Sequence, residues 1–191
     1  ASVVSYLFVC IQGLLVSLKL RVSPGVLFRK IFPTFLIGFT TGSSLVAMST
    51  GLGINKERLG VEDRYTNFAY PLGLNLYAST FCSVHLATTY YLAEIYQVPV
   101  SPEWLFTAGF ICLILAIANP PITGGTLICL GIIMGQLNIP SQGLAIAGTL
   151  SLVLDFLITG SKVMSHQFEM ITEADHLGMI DKEILRDPKR M

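Results

Sequence analysis

Eleven of the twelve basic residues fall in three places in this chain, and that confinement restricts its fold more than any other feature. Of twelve lysines and arginines, Lys19, Arg21, Arg29 and Lys30 form one cluster. Lys56, Arg58 and Arg64 form a second, and Lys182, Arg186, Lys189 and Arg190 a third, at the tail. Lys162 stands alone within an apolar run, and residues 97–103 and 138–142 contain neither lysine nor arginine. Basic connections of a membrane protein stay on the cytoplasmic side. The pattern therefore predicts a multi-pass protein of the cytoplasmic membrane, with the lipid bilayer as partner and the C-terminus in the cytoplasm. Only 13% of residues are charged and 52% are hydrophobic, whereas soluble domains are about a quarter charged. A net charge of zero leaves no footprint for nucleic acid. Cys10, Cys82, Cys112 and Cys129 lie singly in apolar stretches, without the spacing of a zinc site or a disulfide framework. They read as small buried thiols.

A membrane-crossing helix needs about 20 mostly apolar residues. Residues 1–20 nearly meet that and read as the end of an earlier transmembrane span, so an upstream part of a longer protein is expected. Residues 31–56 are apolar at both ends, break at Thr40 to Ser44 and carry basic clusters on both flanks. One crossing would leave a basic cluster outside, and two would need about 40 residues. A re-entrant helical hairpin entering from the cytoplasm resolves both difficulties. Residues 65–96 are long enough to cross outward. Within them, Pro71-Leu72-Gly73-Leu74-Asn75 predicts an unwound break, tolerated at membrane depth only where it lines a protein cavity. Residues 104–138 repeat the hairpin from outside, with Asn119 to Gly125 at its tip. Residues 141–171 cross back as a polar transmembrane helix, and residues 172–191 read as a solvated cytoplasmic tail. The predicted fold class is an all-α membrane protein: transmembrane helices with two oppositely oriented re-entrant helical hairpins, an inverted repeat. Secondary transporters are built from such repeats.

Asp155, Thr159, Lys162 and His166 are spaced 4, 3 and 4 apart and share one helical face. Ionisable groups at the bilayer centre cost at least about 2.5–3.5 kcal/mol each on insertion scales. Such groups mark a substrate or ion path; alternatively, Asp155 and Lys162 form a structural pair that neutralises itself. Helices interrupted at mid-membrane offer free amides and a positive dipole end to a carboxylate. Ser43 and Ser44 stand at the first tip, and Asn119, Thr123 and Gly124 at the second, unless all are turn residues only. No nucleophile–base set or metal motif is present, so the chain reads as a non-enzyme with no resident cofactor.

The segments Thr41-Gly42-Ser43-Ser44, Tyr70-Pro71-Leu72-Gly73, Asn119 to Gly125, and Leu154-Asp155 through Met170 occur here in a characteristic order and spacing. Together they resemble the C-terminal half of the dicarboxylate/amino acid:cation symporters, the glutamate-transporter-like family, over nearly the whole chain. The resemblance implies a mobile transport domain working against a trimeric scaffold of earlier spans. The full-length protein is then expected to be a homotrimer, and this chain alone is expected not to transport. It also implies substrate binding by Ser43, Ser44, Asn119, Thr123, Gly124, Thr159, Lys162 and His166. Ion coupling falls to Gly73, Asn75 and Asp155, and the second hairpin becomes the outer gate; Glu169, beside Met170, adds a coupling carboxylate if the helix is rotated slightly.

Departures from the family narrow the chemistry. Its N-M-D-G-T signature is replaced within Leu74 to Thr80, and the sodium-site aspartate is absent. Thr159 stands where amino-acid transporters place the aspartate that holds the substrate amine, and Lys162 where an arginine clamps a carboxylate. His166 replaces an asparagine, and Met170 a second sodium-liganding aspartate. An α-ammonium thus loses its counter-ion, while an anion keeps a cation with a looser geometric grip. His166 and Lys162 make a proton an alternative coupling ion. The expectation is a secondary active symporter of small organic anions, dicarboxylates first, coupled to Na+ or H+. The alternatives are an amino-acid symporter of the same fold and a non-transporting, binding-only relative or fragment.

Overall fold

Helix α8 (Gly143–His176) organises the protein because six of the other helices pack on it. The computed structural model describes residues 2–76, 79–119 and 121–190. Within them the chain forms α1 (Ser2–Leu20), α2 (Pro24–Thr41), α3 (Ser44–Glu57), α4 (Asp63–Leu76), α5 (Ser79–Ile95), α6 (Pro102–Ala118), α7 (Gly125–Gln136), α8 and a short α9 (Lys182–Arg186). Among these residues the only β pairing is an isolated antiparallel bridge between Val61 and Ile180. Helices α1, α2, α3, α4, α5 and α7 all pack on α8, and every residue from Ile158 to Phe168 is buried. The polar stripe of α8 therefore lies inside protein.

Length separates the helices into two kinds. At 1.5 Å per residue, the 34 residues of α8 span about 51 Å, beyond the ~30 Å hydrocarbon core. α1 is also long and apolar enough to cross a membrane. By contrast α3, α6 and α7, with 14, 17 and 12 residues, reach only about 21, 26 and 18 Å. α2 and α3 pack together and are joined by two residues. Gly42 closes α2 in the left-handed region (φ 61°) and returns its N–H to the Gly38 carbonyl. Ser43 then caps α3 by accepting from the Val46 N–H. α6 starts at a similar cap, Ser101 accepting from the Trp104 N–H with Pro102 in the first turn. α7 follows Gly124, at φ 88°.

The two ends of the bundle differ in charge as the sequence implies. One end gathers the basic clusters: Lys19 Nζ lies 2.6 Å from His176 Nε2, Lys56 pairs with Asp63, and Arg186 donates to the Leu20 carbonyl. The other end holds the lysine- and arginine-free connections, where Val98, Val100, Trp104, Leu137 and Ile139 share one apolar cluster.

Two sequence expectations are corrected. Residues 71–75 do not unwind: α4 is helical through Pro71, Gly73 and Asn75 to Leu76. Proline removes one hydrogen bond of the helix ladder, but the flanking Tyr70 and Leu74 are buried in the core and hold the helix in register. Tyr77 and Ala78, which join α4 to α5, lie outside the described residues, as does Pro120 in the second tip. The tail, in turn, is exposed over much of its length but is not free of the bundle. α8 extends to His176, and α9 folds back so that Leu185 is fully buried among Leu20, Leu27, Leu59 and Val61.

Candidate functional site

The α2–α3 and α6–α7 turns meet tip to tip against the side of α8. Thr123 Oγ1 donates to the Thr41 carbonyl at 2.9 Å, and Ser43 Oγ to the Pro121 carbonyl at 3.0 Å. The Leu45 N–H, in the first turn of α3, shares that Pro121 acceptor at 3.3 Å. From α8, Asp155 Oδ2 accepts the Gly124 N–H at 2.7 Å, a charge-assisted bond at the positive end of the α7 dipole. One amide near each helix N-terminus, that of Leu45 and that of Gly124, is thus served by the opposite tip or by α8.

Between the tips and α8 is a cavity of about 20 Å³ whose lining includes Gly42, Ser44, Asn119, Asp155, Thr159 and Lys162. That is about the room one water needs, so a small organic acid enters only if the tips separate. Asn119 also accepts from Cys129 Sγ at 3.4 Å.

Lys162 is the electrostatic anomaly of this cavity. It is 6% exposed, and among the described residues its ammonium has no hydrogen-bond acceptor and no ion-pair partner. Asp155, one candidate partner, is committed to Gly124 instead, so the self-neutralising pair does not form. A buried ammonium without a counter-charge is strongly unfavourable.

The remaining sequence candidates lie elsewhere. His166 turns toward α4: its Nε2 is 3.0 Å from the Tyr70 carbonyl, and its ring centre is 4.7 Å from that of Tyr70. Gly73 makes room for it, because a Cβ there would sit 2.6 Å from His166 Cε1. Glu169 accepts from Gln12 Nε2 at 2.7 Å. His166, Gly73 and Glu169 border a separate, largely apolar groove of about 840 Å³ between α4 and α8, with Phe68 and Leu72 opposite. Asn75 is exposed and bonds back to the Pro71 carbonyl. The structure therefore joins Ser43, Ser44, Asn119, Thr123, Gly124, Asp155, Thr159 and Lys162, and leaves His166, Gly73, Glu169 and Asn75 outside that cluster.

Sequence reasoning missed Thr126 and Phe81, which also line the cavity. Thr126 was findable, two residues past Gly124 in the first turn of α7. Phe81, stacked on His85 at 3.6 Å, carries no sequence signal. Among the described residues no group of three His, Cys, Asp or Glu is placed to hold a metal ion.

Comparison with known proteins bears on this geometry. The family model described as "Sodium:dicarboxylate symporter family" matches residues 1–170. Curated relatives include proteins named "L-cystine uptake protein TcyP" from Bacillus cereus, Bacillus thuringiensis and Bacillus anthracis. Each is 22% identical over 185 residues, covering 96% of this chain and 40% of the relative. The chain thus spans less than half the length of the curated relatives it matches.

Proposed function

Because the chain belongs to the sodium:dicarboxylate symporter family, we propose that it forms the substrate-handling part of a cation-coupled secondary transporter. The cargo in this reading is a small organic anion, with dicarboxylates as the leading class. Lys162 carries the proposal: a buried ammonium, unpartnered among the described residues, borders a cavity walled by two helix N-termini. A substrate carboxylate compensates Lys162 directly. A second carboxylate takes up the Ser43 hydroxyl and Leu45 amide now bonded to Pro121, with Thr159 donating its hydroxyl. Entry requires the tips to part. His166 contributes by fixing α4 against α8 rather than by touching cargo.

The basic end of the bundle is assigned to the cytoplasm of a multi-pass membrane protein. The short α3, α6 and α7, meeting beside Asp155, support two re-entrant hairpins. A homotrimer built through further spans is the assembly proposed. Sodium is the coupling cation that the family's description names. Asp155 is the carboxylate lining the cavity, so a sodium site there would lean on backbone carbonyls for its other ligands. A proton is the alternative coupling ion.

A second reading is an amino-acid substrate, as the relatives' name suggests. Asp155, released from Gly124, would hold the α-ammonium while Lys162 holds the carboxylate. Equilibrium binding of succinate and of cystine to the purified chain, beside a Lys162→Met variant, separates these readings. Succinate binding lost in the variant supports the anion reading, and cystine binding without succinate binding favours the second. Binding of neither defeats both.

A further inference from the structure

Lys30, in the second turn of α2, is fully buried, yet among the described residues no carboxylate pairs with it. Its ammonium donates to three backbone carbonyls: Arg58 at 2.8 Å, Ile184 at 2.7 Å and Leu185 at 2.9 Å. Three N–H groups meet three acceptors, so the cation is fully satisfied. Arg58 is the C-cap of α3, and Ile184 and Leu185 lie in the last turn of α9. The charge therefore sits at the negative ends of two helix dipoles.

The same C-terminal segment is tied down at further points. The Asp181 N–H donates to the Gly60 carbonyl at 2.8 Å, and the Glu62 N–H to the Met179 carbonyl at 3.0 Å. Arg186 Nη2 donates to the Leu20 carbonyl at 3.0 Å, and Lys182 pairs with Asp175 at 2.6 Å. Leu185 fills the apolar space beneath. These contacts reach the end of α1, the start of α2, the α3–α4 connection and the end of α8.

We propose that residues 179–187 are an intramolecular strap that locks the bases of α1, α2, α3 and α4 to α8, with Lys30 as the pin. The cleft between the α1–α2 and α3–α4 connections is then a docking surface whose occupant is the chain's own C-terminal segment. That locking is independent of what the site binds.

Hydrogen–deuterium exchange read by mass spectrometry tests this on the full-length protein, a Lys30→Met variant and a protein ended after Gly178. Breaking hydrogen bonds to a charged group is worth about 1.5–3 kcal/mol, so amides of residues 54–62 should exchange about ten- to a hundredfold faster in both variants. Residues 125–136 should keep their protection, and a synthetic peptide of residues 177–190 should restore protection to the shortened protein. Unchanged exchange at residues 54–62 in both variants would overturn the strap. An equal loss along the whole chain would also overturn it, because the tail would then be an ordinary part of the core.

Discussion

Replacing Lys162 by methionine should stabilise the protein while removing its affinity for anions, and the opposite signs make the test informative. Lysine is 6% exposed here and has no acceptor among the described residues. Methionine follows a similar path through the cavity without the charge. Insertion scales place a central lysine at about 2.5–3.5 kcal/mol. Taking the lower figure and a shift of about 2–4 °C per kcal/mol for a chain of this size, the melting temperature rises by about 5–10 °C. A carboxylate ligand in the same variant loses a charge-assisted contact worth about 1.5–3 kcal/mol, or about ten- to a hundredfold in Kd. Differential scanning fluorimetry of detergent-solubilised protein, with and without succinate, reads both effects. The unsubstituted protein should melt higher when succinate is added. The variant should start higher and not respond. A lower starting melting temperature would refute the reasoning, because Lys162 would then be holding the structure together rather than awaiting an anion.

Other substitutions probe the surroundings. Asp155→Ala removes the acceptor of the Gly124 N–H, so amide exchange over residues 124–126 should rise about tenfold or more while α1 is unaffected. Gly73→Ala drives a Cβ to 2.6 Å from His166 Cε1 and should cost about 1–3 kcal/mol in denaturant unfolding. That cost should shrink in a His166→Ala background if the two residues are coupled as described. Leu185→Ala empties a fully buried position and should cost about 2–5 kcal/mol in the same assay; a loss under 0.5 kcal/mol would mean the tail is not docked in solution.

The sequence made some of this legible and hid the rest for physical reasons. Spacing put Asp155, Thr159 and Lys162 on one face of α8, and the Ser43 and Gly124 breaks marked the tips that meet them. Spacing did not say which neighbour each polar residue would face, because α8 is buried all round from Ile158 to Phe168 and His166 turns to α4 while Lys162 turns to the tips. The Pro71 to Asn75 stretch reads as a break by local propensity, but burial of Tyr70 and Leu74 on α8 and α3 keeps it helical. The docked tail was the least legible. Lys30 looks like a surface cation in the sequence, and its partners are backbone carbonyls, which no residue type announces.

The central claim is that a small organic anion is carried at the junction of the two tips with Lys162 as its counter-ion. Uptake of labelled succinate by the full-length protein in proteoliposomes, with sodium and proton gradients imposed separately, tests it most directly. The account predicts uptake that follows the sodium gradient, disappears in Lys162→Ala and survives in part in Lys162→Arg. Absence of succinate uptake under either gradient, or uptake unchanged in Lys162→Ala, would contradict it.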